Sequence, residues 1–218
     1  MEQFIMKKTL LGSLILLAFA GNVQAAQNGG ADPETAGTVT FFGKVVENTC
    51  KVKTENRDMS VVLNDVGKSH FKSRGDTAMP TPFTITLQNC SVNNPGTNSA
   101  NKVGLYFYSW ENADKENDYT LKNMTGDDKA KKVNIQIFKE NGVDAIKVVD
   151  KETEDFTSQN TNNGATVPTL TNKHISGSTQ LAGVTELPLH FIAQYYSTDA
   201  TVTAGKVQTS VNFEIAYE

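Results

Sequence analysis

Apolar residues along this chain recur at every second position in short runs, and clusters of Gly, Pro, Asn, Asp and Ser separate the runs. A period of two marks a half-buried β-strand, whose successive side chains point to opposite faces. The clearest case is the stretch 205–218. Val207, Thr209, Val211, Phe213, Ile215 and Tyr217 make one largely apolar face, while Gln208, Ser210, Asn212, Glu214, Ala216 and Glu218 make the other. The sequence offers no later strand to pair with this one. A long apolar edge is an aggregation hazard that proteins blunt with charge, proline or cover. The pattern therefore implies that another polypeptide supplies the cover.

Further strands are predicted over 38–52, interrupted by Gly43, and over 61–63, 83–87, 103–110, 133–138, 145–149 and 187–196. In 103–110, Leu105, Phe107 and Ser109 share one face and Tyr106, Tyr108 and Trp110 the other. Asn141-Gly142 is a turn signal that joins 133–138 to 145–149 as a hairpin. No segment sustains the 3.6-residue period of a helix. Short strands with turn signals between them point to an antiparallel β-sandwich. The stretches 91–101 and 150–179 read as polar surface loops.

The start of the chain changes the picture. Lys7 and Lys8 precede an apolar run over 9–20, and Val23-Gln24-Ala25 presents small residues for cleavage, so 1–25 is expected to be a secretory signal. Met1 and Met6 both offer a start. The run is too short to span a bilayer comfortably. What remains is one medium-sized domain. The full chain carries a formal charge of −4, and removing Lys7, Lys8 and Glu2 makes it one more negative, which argues against nucleic acid and anionic lipid.

Export also gives the cysteines a reading. The chain has two, Cys50 and Cys90, and an even pair in an oxidising compartment is most simply a disulfide. His70, His174 and His190 lack ligand spacing, so neither a metal nor a cofactor is expected. The tripeptides at Asn89 and Asn123 match the glycosylation pattern and receive no role. There is no G-x-S-x-G elbow, H-E-x-x-H helix or free thiol to support catalysis.

Four segments together resemble the major pilins of the chaperone–usher pathway of Gram-negative bacteria, the type 1-like fimbrial proteins. They are Gly37-Thr38-Val39-Thr40-Phe41-Phe42-Gly43-Lys44-Val45-Val46 ahead of Cys50, Phe83-Thr84-Ile85-Thr86-Leu87-Gln88-Asn89-Cys90, Ala193-Gln194-Tyr195-Tyr196, and the terminal strand with Gly205 and the penultimate Tyr217. The resemblance implies an incomplete immunoglobulin-like β-sandwich lacking its final strand, with the pilin domain over 44–218 and an N-terminal extension over 26–43. It implies a donor strand in which Thr35, Gly37, Val39, Phe41 and Gly43 point into a neighbour's groove. Gly37 would sit where a side chain is not tolerated. Gly205, Val207, Val211, Phe213, Ile215 and Tyr217 would line the groove and meet the chaperone.

The partners implied are a periplasmic chaperone, an outer-membrane usher, identical subunits joined head-to-tail, and a tip adhesin or adaptor. Strand addition of this kind takes affinity from main-chain hydrogen bonds and specificity from alternate side chains. The expected function is the shaft of an adhesive fimbria at the cell surface. The alternative is a minor subunit, or a shaft subunit that itself binds glycan weakly, with Tyr106, Tyr108 and Trp110 as a stacking surface.

Overall fold

A computed structural model of the chain describes residues 41, 43–47, 49–91, 99–153, 174–181 and 184–218. The expected leader and the arm positions Thr35, Gly37 and Val39 lie outside the described residues. The β-sandwich belongs to one compact unit comprising 43–158 and 170–218.

Its strands in chain order are β1 (Lys51–Val52), β2 (Thr77–Gln88), β3 (Lys102–Tyr108), β4 (Ala113–Asp114), β5 (Thr120–Lys122), β6 (Val133–Lys139), β7 (Ala145–Ile146), β8 (Ile175–Gln180), β9 (Glu186–Ser197) and β10 (Asn212–Tyr217). The larger sheet has the order β1-β2-β9-β6-β5-β4, with β7 also on β6, and the smaller has the order β10-β3-β8. Every ladder is antiparallel. The inner faces meet in a core of Ile85, Leu87, Val103, Leu105, Phe107, Ile135, Ile137, Leu189 and Phe191. At its centre the rings of Phe107 and Phe191 stand edge to face, 5.2 Å between centroids, a geometry the ring quadrupoles favour.

The alternation seen in the sequence sets this arrangement, and departures from it have physical causes. Strand β2 begins six residues earlier than the Phe83 start expected, running through Pro80 and Pro82. Proline removes a ladder donor. It is tolerated here because β1 pairs only with Leu87 and Gln88, leaving the proline end of β2 with a neighbour on one side alone. A register shift between Ala78 and Thr81 absorbs the irregularity.

The hairpin at Asn141-Gly142 forms, with Asn141 Oδ1 accepting the amides of Val143 and Asp144. Its second strand keeps only Ala145–Ile146 on β6. Val149 crosses to the smaller sheet, where its amide donates to the Phe107 carbonyl and its carbonyl accepts from Ser109.

Two expectations need correction. Of the long first strand over 38–52, only Lys51 and Val52 lie in a ladder among the described residues; residues 43–47 are not strand, and Val45 is 93 % exposed. The polar loop assigned to 150–179 contains β8. Its packing uses Ser176 and Gly177 rather than an apolar alternation, so it carries no period-two signal. Gly177 lies so close to Phe191 that an added Cβ would meet the ring at 2.9 Å.

Candidate functional site: a groove between two unpaired edges

Strand β10 pairs with β3 on one side and with nothing described on the other. The parity of its hydrogen bonds decides what that free side presents. Glu218 and Lys102 exchange both of their backbone hydrogen bonds. Antiparallel ladders alternate bonded and non-bonded pairs, so the register makes Ala216, Glu214 and Asn212 the other bonded residues of β10.

Upstream of β10 the same even series turns inward. The Ala130 amide donates to the Lys206 carbonyl and the Met124 amide to the Gln208 carbonyl. The Gln208 amide donates to Asn123 Oδ1, and the Ser210 carbonyl accepts from Asn112 Nδ2. The odd residues are left over. Val207, Thr209, Val211, Phe213, Ile215 and Tyr217 turn their amides and carbonyls to the free edge while their side chains face the core. Those side chains are only half covered, although Val207, Val211, Phe213, Ile215 and Tyr217 all pack against the core cluster.

A second edge faces the first. Residues 58–66 run extended, and among the described residues no backbone hydrogen bond engages them. Met59, Val61 and Leu63 point inward and are half-buried, and Val62 points out, 86 % exposed.

Between the two edges lies an open groove of about 1310 Å³. Its floor is the inner face of the sandwich, including Phe83, Ile85, Phe107, Ile135 and Tyr195. Within the groove lining, Thr209 Oγ1 is buried without a hydrogen-bond partner. Charged groups sit at the rim, among them Asp65, whose charge adds to burial in raising the Tyr195 hydroxyl above its ordinary pKa.

The last tyrosine ties the terminal strand to the cysteine segment. Cys50 and Cys90 are bonded. The Cys50 amide, on the strand that leads to the 58–66 bank, donates to the Tyr217 hydroxyl at 2.7 Å. Burial raises the Tyr217 pKa, and the Cys50 amide acts in the opposite sense. Gly205 lies at the far end of the same bank, where an added Cβ would stand 2.4–2.9 Å from the backbone of Lys129 and Ala130. Only glycine lets the chain pass so close there.

The structure thus places Gly205, Val207, Val211, Phe213, Ile215 and Tyr217 together along one bank. Of the arm, Phe41 is 89 % exposed and Gly43 has open space around it. Two features escaped the sequence reading. The 58–66 bank was visible only as the short apolar run 61–63. Val45, in step with Phe41 and Gly43, continues the arm's alternation. Among the described residues no group of His, Cys, Asp and Glu is placed to hold a metal, and no helix is long and apolar enough to cross a membrane.

Comparison with known proteins gives this geometry a setting. A family model described as fimbrial protein matches residues 37–218. A major fimbrial subunit of Haemophilus influenzae is 67 % identical over 221 residues, spanning 98 % of this chain and 100 % of the relative. The F17 fimbrial protein of Escherichia coli is 34 % identical over 204 residues, spanning 93 % and 98 %. Among solved structures, the P pilus rod subunit PapA superposes with a TM-score of 0.51 at 19 % identity, covering 78 % of this chain and 99 % of that one. That likeness concerns the fold.

Proposed function

Because the chain belongs to the fimbrial protein family, we propose that it is the repeating structural subunit of a fimbrial shaft and that each copy completes its neighbour. The leader over 1–25 sends it to the periplasm. There a chaperone lends a strand to the groove, and at an outer-membrane usher the 26–43 arm of the next subunit replaces it. The fibre reaches the cell surface and carries an adhesin or adaptor at its tip.

The observation that carries this reading is the coincidence, in the odd residues 207–217, of a backbone edge unpaired among the described residues with a half-covered apolar face. An incoming extended segment satisfies both at once. Its backbone pairs with that edge and with the 58–66 bank, and alternate side chains fill the groove. Val39 and Phe41 are the anchors, each contributing about 1.5–3 kcal/mol on burial. Thr35, Gly37 and Gly43 share their face, and Val45 extends it. Each junction is head-to-tail, so the assembly is an open filament rather than a closed ring.

Deleting 26–43 tests the reading. The truncated subunit is expected to bind the chaperone through its groove and to end any fibre it joins. Fibres of normal length built from that variant alone would contradict the donor role.

A further inference from the structure

The outer face of the smaller sheet carries a feature that polymerisation does not use. Tyr106, Tyr108 and Trp110 follow one another along β3 and just beyond it, all on the side away from the core. Their rings form a continuous shelf, with centroids 5.6 Å apart at 30° for the first pair and 5.4 Å apart at 46° for the second. Trp110, at its end, is 54 % exposed. An outward sheet face is ordinarily polar, and aromatic rings gathered on one mark a contact surface.

The neighbouring strand says what kind of contact. The β10 register sets Glu214 opposite Tyr106 and Asn212 opposite Tyr108, both exposed on the same face. Tyr108 Oη donates to Glu214 Oε1 at 3.0 Å, which holds the carboxylate beside the shelf as a fixed acceptor. The cation that the register puts on this face, Lys102, is taken up by Glu218 at 3.7 Å. The ligand chemistry follows from these groups. Electron-rich ring faces attract the polarised C–H face of a pyranose, a carboxylate and an amide take up its hydroxyls, and unopposed negative charge disfavours an anionic sugar.

We propose that Tyr106, Tyr108 and Trp110, with Glu214 and Asn212, form a binding site for neutral saccharides on the side of each subunit. The site lies beyond the shaft function proposed above. It also survives that function, because a strand added at the free edge of β10 extends the sheet in its own plane and leaves this face open. A shaft presenting one weak site per subunit gains strength by multiplicity.

The chain's single tryptophan is Trp110, so intrinsic tryptophan fluorescence of fibres assembled from this subunit alone reports this site. Titration with a neutral oligosaccharide such as lacto-N-tetraose is expected to give a saturable change at millimolar sugar, with a sialylated counterpart at least several-fold weaker. Glu214→Gln and Tyr106→Ser are expected to weaken the response about tenfold while fibres still assemble. A flat wild-type titration would overturn the proposal. So would a fluorescence blue shift on assembly from the chaperone-bound subunit, which would give the shelf to packing between copies. Neither result would bear on donor-strand assembly, which fibre length reads separately.

Discussion

Tyr217 shows how much one side chain does in a sandwich with an open seam. Its ring packs against the core cluster and its hydroxyl accepts the Cys50 amide. Tyr217→Phe keeps the ring and leaves that amide without its partner, so calorimetry is expected to show a loss of about 0.5–1.5 kcal/mol at neutral pH. Burial also holds Tyr106, Tyr195, Tyr196 and Tyr217 protonated beyond their ordinary range, with Asp118 reinforcing Tyr196. A raised folded pKa stabilises the domain fully below the unfolded value and is lost as pH climbs through the folded one. The melting temperature is therefore expected to hold to about pH 10, the ordinary tyrosine value, and to fall above it, less steeply in Tyr217→Phe. Gly205→Ala puts a Cβ against the Lys129–Ala130 backbone. Denaturant unfolding is expected to register roughly 1–3 kcal/mol of destabilisation, the usual cost of such backbone strain.

Individual elements differ in how far the sequence discloses them. Strands β3, β6 and β9 were legible because each is paired on both sides and packed on the core, which places apolar residues such as Val133, Ile135 and Ile137 at alternate positions. The terminal strand was legible for the same alternation, yet only Asn212–Tyr217 forms a ladder. Residues 208 and 210 bond instead to the side chains of Asn112 and Asn123 and to the backbone amide of Met124, a tertiary detail that no period reveals. Strand β8 was lost because Ser176 and Gly177 do its packing. The 58–66 bank was legible only as a strand over 61–63, and among the described residues no ladder forms there. Its role predicts that Val61→Asp, which puts a charge on the inward face, lowers affinity for an arm peptide of residues 35–45 by tenfold or more. Isothermal titration against the arm-deleted subunit measures that, and circular dichroism checks that the sandwich still forms.

At the scale of the whole molecule, the fold is a sandwich whose smaller sheet stops one strand early, and the Cys50–Cys90 bond fastens the segments beside β1 and β2 of the larger sheet. Closing the intervening loop, a separation of 40 residues, restricts the unfolded chain and is worth roughly 4 kcal/mol. Cys50→Ser is expected to cut the periplasmic yield of native subunit sharply, since the incomplete core has little stability to spare. The fold class was readable from residue pattern and family resemblance together. What the pattern lacks is the parity that turns odd-numbered backbone groups toward the free edge, because that depends on which neighbour claims the even ones.

Residue-resolved amide exchange measures that parity directly. The arm-deleted subunit is refolded with and without the peptide spanning residues 35–45, and the amides of 207–217 are followed. The account predicts that Asn212, Glu214 and Ala216 are protected in both samples, whereas Thr209, Val211, Phe213 and Ile215 become protected only when the peptide is bound. Odd-numbered amides already slow in the subunit alone, or indifferent to the peptide, would contradict a sandwich that waits for a strand from another copy.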